Sequence, residues 1–361
     1  MNTKKSDRVL AYLREGIQSG RYRPGDRLPS ENALSQKFQV TRVTVGKALA
    51  ELAREGRVIR RQGAGSFVSV TDADTPRTFG LLVPGLGAGE IFEPICNSIA
   101  AALAEHNHRL LWGQFVSEDM NARCAQAERL CQGYIEQQVD GVFFAPIELT
   151  EAMHEANERI AGLLAARNIP VVLLDQDVVT FPRRSAFDLV GIDNRRAGYV
   201  LARHLIERGC KRIAFVTRPH SAQTVDARIA GYSEALLDHQ KTVDFSRVHF
   251  GDLDDPAFID HLLTKKHRPD GVVCANDYTA AKLTGILQRR GVRIPEDVRI
   301  VGVDDLRYAA FLSVPLTTIR QPCAQLGYTA THAMLERMTH PAMPGRDLLV
   351  DFELILRHSS S

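Results

Sequence analysis

In the second half of this sequence, polar residues gather directly after short apolar runs. Asp175 and Asp177 follow "VVLL", Asn276 and Asp277 follow "VVCA", and Asp304 and Asp305 follow "IVGV". Arg228 stands beyond the loop after "IAFV", where the pattern predicts the start of a helix. Carboxylates accept from adjacent hydroxyls, while Arg and Asn supply donors. Such a set suits a neutral, hydroxyl-rich ligand. Asp304 and Asp305 alternate along a strand end, so one is expected in a cleft and the other in structure. No nucleophile, base and orienting group stand together, so catalysis is not expected. Six cysteines without a CxxC pair argue against a zinc site or a disulfide framework and fit a reducing compartment. No metal and no cofactor are expected. His106 and His108 flank a predicted helix-to-strand turn and read as surface residues.

A second kind of chemistry lies at the N-terminus, and it is basic. Residues 1–70 hold 14 Lys and Arg against six Asp and Glu, whereas the remainder holds 31 against 37. A basic head on an acidic body points to a polyanion bound at one end. Helical spacing of Val9, Leu10, Leu13 and Ile17 gives a first helix, ended by Gly20 and Pro24-Gly25. Ser30 is placed to cap a second, and Thr41 a third with Val45, Leu49 and Leu52 on one face. Val58–Arg60 and Ser66–Val70 read as strands around the tip Gln62-Gly63-Ala64-Gly65. Two helices joined by a tight turn and followed by a hairpin make a winged helix-turn-helix. Its third helix offers Thr41, Arg42, Thr44 and Lys47 to base edges and phosphates, and its wing offers Arg60, Arg61 and Gln62.

The run "GDRLPSENALSQKFQVTRVTVGKALAELAREGRVIRRQGAGSFV" resembles the DNA-binding head of the GntR family. That resemblance implies DNA contacts at Asn32, Thr41, Arg42, Thr44, Gln62 and Gly63. Gly46 stands where many members carry arginine.

The polar stretch "SVTDADTP" reads as a linker, giving a head at 1–70, a linker at 71–77 and a body at 78–358. In the body, eight candidate strands alternate with helical segments: Phe79–Val83, Arg109–Gln114, Gly141–Ala145, Val171–Leu174, Arg212–Val216, Val248–Phe250, Gly271–Cys274 and Arg299–Val303. Such alternation predicts α/β architecture with doubly wound parallel sheets, here in two lobes, and ligands at the carboxyl ends of the strands. "VGIDNRRAGYVLARHLIERGCKRIAFV", "PDGVVCANDYTAAKLTGILQRRGVRIPEDVRIVGVDDL" and "PLTTIRQPCAQLG" resemble the LacI/GalR effector domain, itself similar to type I periplasmic binding proteins. The resemblance implies a cleft lined by Asp175, Arg228, Asn276, Asp304 and Gln321, with Phe92 where an aromatic stacks on the ligand. It makes Asp193 and Asn194 structural. The sequence departs at Gly-Glu-Ile-Phe (89–92) and at Leu253, where the family often has aromatics. Arg183 and Arg184 raise the possibility of an acidic sugar.

A GntR-type head on a LacI-type body is similar to the arabinose-repressor-like subgroup. It implies a cytoplasmic homodimer that binds double-stranded DNA at an inverted-repeat operator. A small-molecule effector, a carbohydrate by the same resemblance, releases it. A nucleobase or other metabolite as effector, and activation in place of repression, are the alternatives. No apolar run is long enough to span a membrane, and Met1–Asp7 lacks a signal-peptide core. Gly85, Gly87 and Gly89 mimic a dinucleotide turn, but its third glycine would fall on Glu90, so an oxidoreductase is not expected.

Overall fold

A computed structural model describes residues 5–23, 25–61, 64–68, 76–83, 91–113, 120–264 and 268–361. The chain divides between Arg77 and Thr78 into two units. Most of the expected linker and the Gly85–Gly89 motif lie outside the described residues.

The first unit is built from α1 (Lys5–Gln18), α2 (Glu31–Phe38), α3 (Arg42–Arg54) and the antiparallel pair β1 (Val58–Arg61) and β2 (Gly65–Val68). Its core joins Val9, Leu13, Leu34, Val45, Leu49, Leu52, Val58 and Val68. Ser30 and Thr41 cap α2 and α3 through hydrogen bonds accepted from Ala33 N and Thr44 N. Gln39 ends α2 in the left-handed region at φ 51°, which makes the turn into α3 tight. Leu28 N donates to Ser66 O, tying the loop before α2 to the hairpin.

The second unit has two six-stranded sheets. In chain order it runs β3 (Thr78–Leu82), α4 (Phe92–Glu105), β4 (Arg109–Trp112), α5 (Met120–Glu136), β5 (Gly141–Phe144), α6 (Met153–Ala166), β6 (Val171–Leu174) and β7 (Asp188–Gly191). There follow α7 (Asn194–Glu207), β8 (Ile213–Thr217), α8 (Gln223–Asp238), β9 (Val248–Phe250), α9 (Pro256–Leu263), β10 (Gly271–Cys274), α10 (Asp277–Arg289), β11 (Arg299–Asp304), β12 (Thr317–Arg320), α11 (Cys323–Thr339), β13 (Asp347–Leu349) and β14 (Glu353–Ile355). The first lobe's sheet has the order β13-β7-β6-β5-β3-β4 and the second lobe's β14-β12-β11-β10-β8-β9. All pairs are parallel except β12 with β14. The runs GVFF, VVLL and GVVC are buried at every position, as strands covered by helices on both faces must be.

The chain crosses between lobes three times: from β7 to α7, from β12 to α11, and from β13 to β14. Near the first crossing, α7 and α8 touch backbone to backbone. A Cβ on Gly198 would lie 1.9 Å from Arg228 O, and one on Gly231 would lie 1.8 Å from Arg195 O, so only glycine permits this approach.

Several readings need correction. Strands β7, β12, β13 and β14 were not expected from the sequence. Asp188 puts a charge in a buried strand, but Arg337 and Arg346 both ion-pair with it. Thr317 and Thr318 sit fully buried because their hydroxyls reach Arg357 O and Asp277 Oδ1. The body does not stop at 358: Ser359 Oγ accepts from Thr317 N and donates to Ile300 O inside the second lobe. His108 is buried edge-on to Phe79 with ring centroids 5.6 Å apart, while His106 is exposed.

Candidate effector cleft and DNA-reading head

Phe92, Asp175, Arg228, Asn276, Asp304 and Gln321 all line one cavity between the lobes, with a volume of about 80 Å³. All but Arg228 are placed by a strand or helix end. Asp175 follows β6, Asn276 follows β10, Asp304 closes β11 and Phe92 opens α4. Asp175 has φ 71° and Asp304 φ 124°, conformations that L residues rarely hold and that concentrate at ligand sites. Arg228 does not begin its helix as expected. It is the sixth residue of α8, and one turn of helix carries it over the end of β10.

Arg228 is the buried cation of the cleft. Its Nε donates to Asn194 Oδ1 at 2.8 Å and its Nη1 to Ala275 O at 2.6 Å. Asn194, itself anchored to Ile192 O, therefore aims the guanidinium. Asp304 Oδ1 accepts from Gln321 Nε2 at 2.9 Å. Two acceptors in this cavity are buried without a partner among the described residues: Asp175 Oδ1 and Gln321 Oε1. Burial pushes the Asp175 carboxyl up, against the pull of Arg228 and Thr224. Burial likewise holds Asp304 well above the usual carboxylate range, opposed by Arg228 and reinforced by Asp277. Asn276 Oδ1 is already spent as the cap of α10, accepting from Thr279 N and Oγ1.

Asp305 faces away from the cleft, as the alternation required, and pairs with Arg320 and Arg357. Leu253 packs in the second lobe's core and does not line the cavity. Arg183 and Arg184 are committed elsewhere: the first pairs with Glu158, the second with Asp177 and Asp347. The cleft also has members that sequence reasoning passed over, among them Arg123, Glu148, Gln176 and Arg218. Glu148 and Arg218 follow β5 and β8, so the rule that exposed the aspartates applied to them too.

The lobes are fastened across this cleft. Gln223, first in α8, donates from its backbone to Gln176 Oε1 at 3.1 Å. Its side chain accepts from Phe181 N at 3.0 Å and donates to Val179 O at 3.0 Å. Ala222 N donates to Glu148 Oε2, and Leu149 N to His220 O. One segment of the second lobe thus holds two loops of the first.

In the head, Asn32, Thr41, Arg42, Lys47 and Arg61 are exposed, and Thr44 is half-buried with its hydroxyl 2.9 Å from that of Thr41. Gln62 and Gly63 lie outside the described residues. Arg60 is drawn to Glu31 of α2 at 2.6 Å, and Arg61 lies over the Phe67 ring. A Cβ on Gly46 would meet nothing within 4 Å, so this glycine serves no packing need. Val43, 70% exposed beside Arg42, is an apolar residue on the same helix that the sequence reading did not single out.

These two units define a class: a DNA-reading winged helix joined to a ligand-binding, two-lobed body. Residues 5–68 match the family described as bacterial regulatory proteins, gntR family, and residues 202–360 match the periplasmic binding protein-like domain. The chain is a transcription regulator that carries a gntR-type helix-turn-helix domain and a periplasmic binding protein-like domain, and it is similar in fold to LacI family regulators. It is 28% identical to the arabinose metabolism transcriptional repressor of Geobacillus stearothermophilus, over 95% of this chain and 94% of that one. The transcription regulator CcpA of Lactococcus lactis shares the fold at 23% identity, with TM-score 0.68, covering 80% of this chain and 100% of that one. A LacI family regulator from Enterococcus faecium, solved with bound ribose, is 25% identical with TM-score 0.62, covering 79% of this chain and 99% of that one.

Proposed function

We propose that this protein is a cytoplasmic repressor, without enzymatic activity, that binds an inverted-repeat operator as a homodimer and leaves it when a hydroxyl-rich small molecule, a carbohydrate, enters the cleft. The observation that carries the ligand class is the pair of buried, unpartnered acceptors, Asp175 Oδ1 and Gln321 Oε1, beside the fixed donor Arg228. Buried acceptors without partners are costly, about 1–3 kcal/mol each, and hydroxyl donors remove that cost. Phe92 lines the same cavity and offers a face to a sugar ring. The relatives that carry a repressor's name or a bound ribose support this reading.

Repression follows from differential affinity. A ligand that binds better when the lobes are fastened together shifts the protein toward that state, and the operator need only prefer the other. The head supplies the rest. Thr41, Arg42 and Lys47 enter the major groove and the wing's Arg61 reaches the backbone. The test is calorimetry of the full-length protein with L-arabinose, D-ribose, D-glucose and purines, paired with release of an operator fragment selected from a random duplex library. Heat and release with a sugar support the proposal. Heat with a purine alone assigns a nucleobase effector, and a selected site without two-fold symmetry overturns the dimer.

A further inference from the structure

Arg218 follows β8 and lines the effector cavity from the second lobe. It is half-buried, and its guanidinium stands 5.1 Å over the ring of Tyr278. Unlike the body's arginines 183, 184, 195 and 196, each paired with a carboxylate, Arg218 has a side chain with no ion pair and no hydrogen bond among the described residues, while its backbone carbonyl accepts from Thr217 and Ser221. Arg123 lines the cavity from the first lobe and Arg228 lies deeper. Against these three arginines stand three carboxyls, those of Glu148, Asp175 and Asp304. Burial drives both aspartates toward their neutral form. Glu148 is turned to Ala222 N. Among the described lining residues the arginines balance the carboxyls in number, and Arg218 is the cation whose side chain makes neither an ion pair nor a hydrogen bond.

We propose that the effector carries an acidic group, a carboxylate or a phosphate, which Arg218 receives near the rim while Asp175, Asp304 and Gln321 read the hydroxyls deeper in. This rests on the reading of the cleft as a hydroxyl-binding site. The guanidinium over Tyr278 is a planar fork of donors, the shape that matches a carboxylate or phosphate in two parallel hydrogen bonds. A partly desolvated cation without a counter-charge is costly, and a ligand anion is the group that relieves it. The reading of Arg183 and Arg184 as acid-binding fails, and the same chemistry moves to a residue that faces the cavity.

The experiment compares matched ligands by calorimetry on the full-length protein: D-ribose with D-ribose 5-phosphate, and D-glucose with D-glucose 6-phosphate, D-gluconate and D-glucuronate. An acidic member should bind about ten- to a hundredfold tighter than its neutral parent, the range for one charge-assisted pair of bonds. The phosphate and carboxylate arms tell which anion is read. Arg218→Gln should bring the acid to its parent's affinity with an unchanged melting temperature, and Arg218→Lys should restore part. If neutral and acidic forms bind alike, or if Arg218→Gln leaves the acid's affinity intact, the acidic class falls and the hydroxyl-reading cleft stands. If no sugar, neutral or acidic, gives heat, the carbohydrate reading falls and takes this proposal with it.

Discussion

Replacing Arg228 by alanine tests whether one side chain both binds the effector and holds its own lobe together. The side chain is 5% exposed and donates to Asn194 Oδ1 and to Ala275 O. Alanine leaves both acceptors buried and unpaired, at about 1–3 kcal/mol each. It also removes the cation that Asp175 and Asp304 face. The expected loss is about 3–5 kcal/mol, the range for breaking a buried charged pair. For a body of this size that lowers the melting temperature by roughly 5–10 °C. Effector affinity should fall about tenfold to over a hundredfold. Scanning calorimetry without ligand and titration with the effector measure the two effects separately. Asn194→Ala adds a control, since Asn194 does not line the cavity. If the Arg228–Asn194 bond exists in solution, the double mutant should lose about 1–3 kcal/mol less than the two singles summed. A melting temperature within a degree or two of the parent, or additive losses, would refute the bridging role.

Other expected outcomes concern the cleft and the head. Asp304→Asn should raise the melting temperature of the ligand-free protein at neutral pH. A raised carboxyl contributes stability below the unfolded carboxylate range and loses it as pH rises through the folded value, and asparagine removes that loss; a variant that melts lower from pH 5 to 8 contradicts this. Gln223→Ala removes hydrogen bonds to Phe181 N and Val179 O across the cleft, so operator release should need about 5–30-fold more effector, and an unchanged dose curve argues against the fastening. In the full-length protein Arg42→Ala should lose about 1–3 kcal/mol of discrimination between operator and random DNA, while Arg61→Ala weakens both evenly. Gel shifts on the two duplexes decide, and equal losses for Arg42→Ala would remove it from base reading.

The strands that read most plainly, GVFF, VVLL and GVVC, are uninterrupted apolar runs, because burial on both faces leaves no other choice of side chain. Strands such as Asp188–Gly191 and Thr317–Arg320 were illegible for the opposite reason. Their polar groups are satisfied by partners far along the chain, Arg337 for Asp188 and Arg357 for Thr317, and a local window contains neither. The cleft followed the same division. Asp175, Asn276 and Asp304, just after apolar strands, could be placed without coordinates, while Phe92 and Gln321 came from the family resemblance, and all five share one cavity with Arg228. The orientation of Arg228 could not be placed so, since it depends on Asn194 from another helix. Nor could the contrast between Arg184, tied to two aspartates, and Arg218, tied to none: both are arginines in loops, and only the fold assigns their neighbours.

The three crossings between the lobes bear on how a growing chain acquires its two abilities. The head's described elements are contiguous, from Lys5 to Val68, so it can close its core once that stretch has emerged. The first lobe cannot. It awaits α11, whose Met334 packs against Gly141, and β13, which completes its sheet at Leu349. The second lobe awaits β14. Because domains tend to fold as units while synthesis proceeds, the part that grips DNA becomes competent well before the part that can be told to let go. Any chain that stops short of residue 347 then holds the whole core of the head but an unfinished sheet in the first lobe.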